Sequence, residues 1–225
     1  MRINADFAER VLLHADEIPW QESPMAGVER RPLDRIGEEV ARATSFVRFA
    51  PGSEFSAHTH GGGEEFLVLD GVFQDEHGDF PAGSYIRNPP TSSHTPASRP
   101  GCTIFVKLWQ MPPESRTHVR TDLGHLAAVP AEGRPGVRVI PLYHDEHEDV
   151  RMEEWAPGAE VSIDAPNGIE ALVLEGTATE SGEAMRRHSW LRLPRNSRLE
   201  AVAGPKGAHV WIKAGHLNDV RAPAL

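Results

Sequence analysis

Two histidines, His58 and His60, stand one residue apart at the start of the segment HTHGGGEEFLVLDG. Successive side chains of a strand point to opposite faces, so two imidazoles with this spacing share a face and can chelate one metal ion. The chain has 12 histidines in 225 residues, so a chance pair on the surface is the alternative interpretation. The pair becomes a candidate metal site only if further ligands accompany it.

Two glutamates, Glu64 and Glu65, follow the three glycines of the same segment. Glu64 alternates with Phe66 and Val68, which would place its carboxylate in a mostly apolar interior. An unpaired charge is costly in such surroundings, and a cation is its natural partner. Glu65 points the other way and is the alternative ligand, although its match with Glu170 in the second half of the chain indicates a structural role.

The elements that must position these residues are predicted to be β-strands through most of the chain. Runs such as SFVRF, EFLVLDGVF and TIFVKLW are rich in β-branched and aromatic residues and are bounded by Gly, Pro, Asn or Asp. The chain has 20 glycines and 19 prolines to provide such breaks. Helical periodicity is confined to short pieces at residues 6–13 and 123–129. We therefore predict an all-β fold, a sandwich or a barrel.

The sequence also repeats itself. RFAPGSEFSAHTHGGGEEFLVLDG aligns with EWAPGAEVSIDAPNGIEALVLEG, and SYIRNP and CTIFVKLW align with SWLRLP and AHVWIKAG, at offsets of 105 or 106 residues. Segments that keep one offset over a hundred residues indicate a duplicated β unit. We predict two tandem domains, residues 1–126 and 127–225, joined through the stretch AAVPAEGRPGVR. Lys107 aligns with Lys213, which predicts a structural ion pair rather than a catalytic lysine.

The first half resembles the two sequence motifs of the cupin family over their whole length. Glycines and a proline frame the motifs, with one departure where the second motif's glycine is Thr91. The resemblance implies two tandem jelly-roll barrels of the double-stranded β-helix type. It also implies that one metal ion is held by four inward-pointing residues, His58, His60, Glu64 and His94.

The second half lacks these four candidate ligands. Its aligned residues are Asp164, Pro166, Ile169 and Leu199. A single carboxylate cannot retain a divalent transition ion, so we predict one divalent metal ion per chain and a degenerate second domain. Imidazole with carboxylate suits zinc, which we favour, and also iron, nickel or manganese.

A closer resemblance is to the cupin domain of ChrR-type anti-sigma factors. It is carried by residues 58–96 and by GCTIFVKLWQ after them, and it implies a zinc-type site. In that family the sigma factor is bound by a separate N-terminal helical domain with its own His and paired Cys zinc motif. Here Cys102 is the one cysteine, and the first 45 residues predict no helical domain, so a sigma factor is not an expected partner.

Two classes of function fit these residues. The first is a regulatory protein that senses a small molecule or an oxidant at its metal ion. The second is an enzyme, foremost a metal-dependent dioxygenase, because such a ligand set leaves open positions for a substrate. A sugar or polyol isomerase is a third alternative. The same ligands serve all of these, so the sequence identifies no catalytic residue.

The composition excludes several partners. The net charge of −10 is spread along the chain, whereas phosphate binding needs clustered Lys and Arg, so nucleic acid is not expected. The longest apolar runs are far shorter than the roughly 20 residues of a membrane span. The N-terminus carries acids where a signal peptide needs an apolar segment, which predicts a cytoplasmic protein. Edge strands need covering, so we expect either a homodimer, with VERRPLDRI adding to a neighbouring sheet, or two barrels that behave as one rigid body.

Overall fold

The computed structural model describes residues 1–223, which form 22 β-strands and two short 3-10 turns, Ala15–Glu17 and Leu123–His125. Strands β1 to β11 are Arg2–Ile3, Val11–His14, Gln21–Glu22, Val28–Gly37, Ala41–Phe49, Ser53–Glu54, His58–Thr59, Glu64–Asp75, Gly78–Pro81, Ser84–Asn88 and Ser93–His94. Strands β12 to β22 are Ala97–Ser98, Cys102–Leu108, Val119–Asp122, Val129–Pro130, Val137–His144, Asp149–Trp155, Glu160–Ala165, Ile169–Glu180, Glu183–Arg186, Ser189–Leu193 and Ser197–Ala214. The predicted all-β fold is confirmed.

The chain divides into two compact units. Unit 1 contains Met1–Ala5, Ile18–His125 and residues 221–223, and unit 2 contains Asp6–Glu17 and Leu126–Val220. The helical periodicity at residues 6–13 does not produce a helix, and that expectation was wrong. Strand β2 forms there instead because its backbone pairs antiparallel with β21, which places this N-terminal strand in unit 2.

Unit 1 is built on an antiparallel sheet in which the strand order is β1-β4-β5-β13-β8-β10-β14. Strands β3, β6, β9 and β12 attach beside this path, and β7 pairs separately with β11. The segment VERRPLDRI lies in β4, which pairs with β5 along one edge and with β1 and β3 along the other. Its backbone is therefore paired within unit 1, and dimerisation stays a prediction.

Unit 2 repeats this arrangement with its own strands. Its sheet has the order β15-β16-β17-β22-β19-β21-β2, and β18 and β20 attach beside it. Long strand β19 pairs with β22, as β8 pairs with β13 in unit 1. Each unit has its own apolar core, which contains Phe49, Phe66 and Phe73 in unit 1 and Trp155 in unit 2.

The duplication is visible in backbone conformation as well as in sequence. Gly63 and Gly168 adopt positive φ angles of 77° and 80°, and Gly71 and Gly176 adopt 71° and 75°. Each pair lies 105 residues apart. Gly63 and Gly168 directly precede β8 and β19, and Gly71 and Gly176 lie inside these strands, so the two units share left-handed residues at the same places of the fold.

The aligned lysines Lys107 and Lys213 are both buried and both have polar partners inside their own unit. Lys213 forms a buried ion pair with Glu148 at 2.6 Å, and Lys107 donates a hydrogen bond to the Thr44 hydroxyl at 2.9 Å. The predicted ion pair is thus confirmed for Lys213. Among residues 1–223, no helix is long and apolar enough to cross a membrane.

The left-handed residue Gly176, inside β19, gives a test of the framework. A Cβ at Gly176 would lie 2.1 Å from the Gly207 carbonyl oxygen, whereas a Cβ at Gly182 would have no heavy atom within 4 Å. Both residues have positive φ, so an alanine is conformationally strained at either position. Gly182→Ala has no further cost and should lower the free energy of unfolding by about 1 kcal/mol. We expect Gly176→Ala to lower the free energy of unfolding by about 3 kcal/mol or more, because backbone must also move. Urea unfolding of both variants measures the difference, and an equal decrease in the free energy of unfolding would contradict this account of Gly176.

Candidate metal centre

Four residues of unit 1 converge on one point. One ligand atom each from His58, His60, Glu64 and His94 can be chosen so that all lie within 4.8 Å of one another. Strand pairing creates the convergence, because β7 and β11 place His58 directly opposite His94. The chain after β7 is held beside β11 as well, since the His60 amide donates to the Ser92 carbonyl at 2.9 Å.

The sequence predicted these four residues, and the structure brings all of them together. The three imidazole rings lie with their centroids 4.6 to 5.0 Å apart. Glu64 begins strand β8, and its Oε2 lies 3.4 Å from His60 Nε2 and 3.3 Å from His94 Nε2. Within the part of the chain that the structure describes, no other group of His, Cys, Asp or Glu has this geometry.

A hydrogen bond fixes which nitrogen of each imidazole carries a proton. His58 Nδ1 lies 3.1 Å from the Ser56 carbonyl oxygen, and His94 Nδ1 lies 3.1 Å from Asp75 Oδ2. Both oxygens accept only, so each Nδ1 is the donor. His60 Nδ1 lies 3.0 Å from the Ser92 hydroxyl.

The Ser92 hydroxyl also acts as an acceptor. Its own hydrogen is donated to the Pro89 carbonyl at 2.6 Å, which leaves its oxygen to accept from His60 Nδ1. All three imidazoles therefore carry a proton on Nδ1, and the Nε2 atoms of His60 and His94 face Glu64. This is the form of histidine that binds a metal ion, with the other ring nitrogen oriented by an outer partner.

The Nε2 atoms of His60 and His94 are the strongest sign that this cluster is a cation site. Both are buried and have no hydrogen-bond partner among the described residues. Two nitrogen lone pairs beside a carboxylate oxygen repel one another, and a bound cation removes the repulsion. The donor set of three imidazoles and one carboxylate fits a divalent transition ion.

The pKa values of the buried groups at the site are shifted in different directions. Burial lowers the pKa of His60, and the negative charge of Glu64 offsets this only in part. Burial also acts to lower the pKa of His94, but its hydrogen bond to Asp75 and the charge of Glu64 outweigh burial and raise it. Burial acts to raise the pKa of Asp75, yet the bonds from His94 and from the His77 amide lower it. The surroundings thus favour a positive charge beside His94, which a metal ion at its Nε2 would supply, and a carboxylate at Asp75.

The two neighbouring glutamates have separate surroundings. Glu64 faces the histidines and accepts a hydrogen bond from Asn88 Nδ2 at 3.3 Å. Glu65 points to the other face, where its carboxylate accepts from the Tyr85 hydroxyl at 2.7 Å and lies 3.8 Å from Arg87. The corresponding Glu170 of unit 2 is likewise bonded to framework side chains.

Glycines beside the site make room for an indole ring. A Cβ on Gly61 or Gly62 would lie 2.7 or 2.4 Å from atoms of Trp109. The sequence explained these glycines only by a tight turn, and Gly63, with a φ of 77°, does occupy one. Thr91, which departs from the motif's glycine, also adopts a left-handed φ of 76°.

A cavity of about 330 Å³ opens onto three of the four residues. His58, His60 and Glu64 lie on its wall, together with Trp109. Most of the remaining wall is apolar, formed by side chains that include Val47, Phe49, Phe55, Phe73, Ile104, Val106 and Leu108. The cavity therefore connects the candidate metal position with a space that suits a small organic molecule.

Sequence reasoning missed Asp75 and Ser92, the outer partners of His94 and His60. Asp75 and Glu64 are the two ends of the 12-residue strand β8, so their positions differ by an odd number and strict alternation would place them on opposite faces. The register of β8 against β13 shifts between Val68 and Asp70, which reverses the alternation of faces beyond that point. A strict period of two from Glu64 therefore places Asp75 on the wrong face.

The structure corrects the alignment of unit 2. Leu199 pairs with Ile163, as His94 pairs with His58, so the counterpart of His58 is Ile163 and not Asp164. Asp164 lies one residue further on, is exposed, and forms an ion pair with Arg198. The one-residue deletion must therefore precede His58, and it was misplaced in the sequence alignment.

The inner positions of unit 2 are consequently apolar throughout. The residues at the places of the four candidate ligands are Ile163, Ala165, Ile169 and Leu199, and all four pack in the core of unit 2. No carboxylate or imidazole is left at these positions. The sequence alignment left Asp164 as one potential ligand in unit 2, whereas the structure leaves none at the four positions.

Comparison with known proteins places this site in context. Residues 8–112 match the family described as the ChrR cupin-like domain. No curated protein matches the chain. Among solved structures, a candidate dioxygenase from Nostoc punctiforme PCC 73102 is 15% identical, with a TM-score of 0.79 over 97% of this chain and 87% of that one.

Two further solved structures show the same fold. A cupin 2 conserved barrel domain protein from Leptotrichia buccalis is 13% identical, with a TM-score of 0.61 over 95% of this chain and 99% of that one. The pirin YhhW from Escherichia coli, in complex with nickel(II), is 14% identical, with a TM-score of 0.65 over 92% and 98%. The chain therefore has the fold of two tandem cupin barrels, and its residues 8–112 are similar to the ChrR cupin-like domain.

Proposed function

We propose that the chain is a metal-binding bicupin that binds a small organic molecule or an oxidant at one divalent ion in unit 1, as a regulatory or sensing protein. His58, His60, Glu64 and His94 are the proposed ligands. The observation that carries the proposal is the pair of buried Nε2 atoms, on His60 and His94, that have no hydrogen-bond partner among the described residues and face the Glu64 carboxylate. The similarity of residues 8–112 to the ChrR cupin-like domain supports the regulatory role.

Zinc is the metal ion that we propose first, with iron, nickel and manganese as alternatives. The chain's own part in binding is to hold three imidazoles with protonated Nδ1 atoms and to present one carboxylate, which suits each of these ions. A bound divalent ion would supply a Lewis acid that polarises an oxygen atom of a ligand. The apolar wall of the cavity would hold the body of that ligand and exclude water.

A metal-dependent dioxygenase is the second candidate function. The cavity favours it, because an apolar space beside a metal ion would let an organic substrate lie against the reactive position. The structural likeness to a candidate dioxygenase is consistent with this alternative. We further propose that unit 2 acts as a scaffold and that the protein is cytoplasmic and forms a homodimer.

Oxygen consumption separates the two candidate functions. Protein loaded with iron or with zinc is mixed with small diketones and phenols in an oxygen electrode. Consumption by the wild type that is lost in His94→Ala would favour the dioxygenase. Tight binding of the same compounds without consumption would favour the sensor.

The first prediction concerns the stoichiometry and the ligand set. We expect elemental analysis of wild-type protein to give one divalent ion per chain, and His94→Ala and Glu64→Gln to lose most of it because each removes a ligand. Glu65→Gln is the matched control, since Glu65 lies on the other face. It should keep its metal and lower the free energy of unfolding by about 1 to 3 kcal/mol through the weakened bond from Tyr85. Two ions per chain, or full metal content in His94→Ala, would contradict the proposal.

The second prediction concerns the outer partner of His94. Asp75→Asn leaves all four proposed ligands in place but weakens the hydrogen bond that orients His94. We expect the affinity for zinc, measured by competition with a chromophoric chelator, to fall about 10- to 100-fold.

Asp79→Asn provides the control, because the Asp79 side chain is exposed and bonds to Gln74. Its zinc affinity should match that of the wild type. The metal-free forms of both variants should unfold at similar denaturant concentrations. A large loss of stability in metal-free Asp75→Asn would instead assign Asp75 a purely structural role.

A further inference from the structure

The cavity beside the candidate metal centre has two arginines on its wall. Arg30 and Arg35 both lie on β4 and both line the cavity that His58, His60 and Glu64 also line. The register explains why Arg30 reaches it, because Arg30 pairs with Val47, which is itself on the cavity wall. Directly opposed residues of an antiparallel pair share a face of the sheet.

Neither arginine is neutralised by an ion pair. Among residues 1–223, no carboxylate forms a salt bridge with the guanidinium of Arg30 or of Arg35, and Arg35 donates instead to the backbone carbonyl of Glu38. Arginines nearby behave differently, since Arg48 pairs with Glu29 and Arg42 lies 3.9 Å from Asp34. Arg30 and Arg35 thus bring two positive charges to the cavity wall, and the nearby carboxylate of Glu39, also on this wall, offsets them only in part.

Burial makes this positive charge costly. Arg35 is buried, and desolvation lowers its pKa; the charge of Arg30 lowers it further and acts more strongly than Glu39 or Glu38, which raise it. Two guanidiniums held near one another in a partly buried space form a site for an anion. A divalent ion at the proposed ligands would make the cavity still more positive.

The rest of the wall restricts the shape of that anion. Apolar side chains of β5 and β13 cover much of the surface, with Val47, Ile104, Val106 and Leu108 among them. A volume of about 330 Å³ lies at the small end of ligand cavities. The chemistry of the wall thus calls for a compact apolar body with a negatively charged end.

We infer that this cavity binds a small organic carboxylate whose charged group pairs with Arg30 and Arg35 and whose apolar body lies along Val47 and Val106. The inference names the ligand class for the site of the proposed function and rests on that function only where the metal ion is concerned. The arginines select the anion, and the opposite end of the ligand faces the histidines. Arg30 and Arg35 are thereby specificity-determining residues.

The probes are acetate, butyrate and benzoate, with benzamide as the neutral analogue of benzoate. Calorimetric titration of the full chain, as purified, should show benzoate binding more tightly than acetate, because its ring covers the apolar wall. Benzamide should bind at least about tenfold more weakly, since it forms no ion pair with a guanidinium. Metal content is measured on the same samples.

Variants of the two arginines complete the experiment. Arg30→Gln and Arg35→Gln should each weaken benzoate binding by about tenfold or more, and Arg35→Lys should restore part of it. Arg195→Gln is the charge-matched control, because Arg195 is an exposed residue of unit 2. Circular dichroism establishes that the variants keep the β fold, and only folded variants are compared.

The outcomes separate this inference from the proposed function. Equal benzoate affinity in wild type and both Gln variants, equal affinity for benzamide, or no carboxylate binding at millimolar concentration would each overturn it. A protein that holds its metal ion but fails these tests leaves the proposed function standing. If the protein binds no metal ion but its benzoate binding still depends on the two arginines, the anion site is supported and the proposed function is contradicted.

Discussion

A buried carboxylate that faces two imidazole lone pairs is the constraint on which the site of unit 1 depends. Glu64 Oε2 lies 3.4 and 3.3 Å from the Nε2 atoms of His60 and His94, whose Nδ1 atoms donate to Ser92 and Asp75 on the opposite side of each ring. Such a set of acceptors is stable around a cation and unfavourable without one. The pairing of β7 with β11 and the bonds from Ser92 and Asp75 serve to keep this arrangement rigid.

The two units show that the framework and the site are separable. Both use left-handed residues at equal spacing, and both bury a glutamate against framework side chains, Glu65 in one and Glu170 in the other. Unit 2 nevertheless packs Ile163 and Leu199 where unit 1 has His58 and His94. The same strand pairing therefore supports either a polar centre or an apolar core. The inward-facing residues, and not the fold, decide whether a unit can bind a metal ion.

The sequence by itself determined the fold class and the four candidate ligands. Strand alternation and frequent Gly and Pro breaks are local signals, and they sufficed to predict an all-β chain with a duplicated unit. His58, His60 and Glu64 lie within seven residues, so a period of two placed them on one face before any register was known. His94 came from the resemblance to the cupin motifs, which record a pairing between distant strands.

Only the tertiary structure decided what depends on register and on distant partners. A shift in the pairing of β8 with β13 brought Asp75 behind His94, and the pairing of β18 with β22 identified Ile163 as the counterpart of His58. Residues 11–14 became a strand because β21 offered them a paired edge, against their local helical pattern. Arg30 and Arg35 carried no spacing signal, since the cavity that they line is formed by strands far apart in sequence. Periodicity along the chain gives the face of a residue only within a regular strand. It does not show where a bulge reverses the faces or which distant strands pair, and these features depend on both.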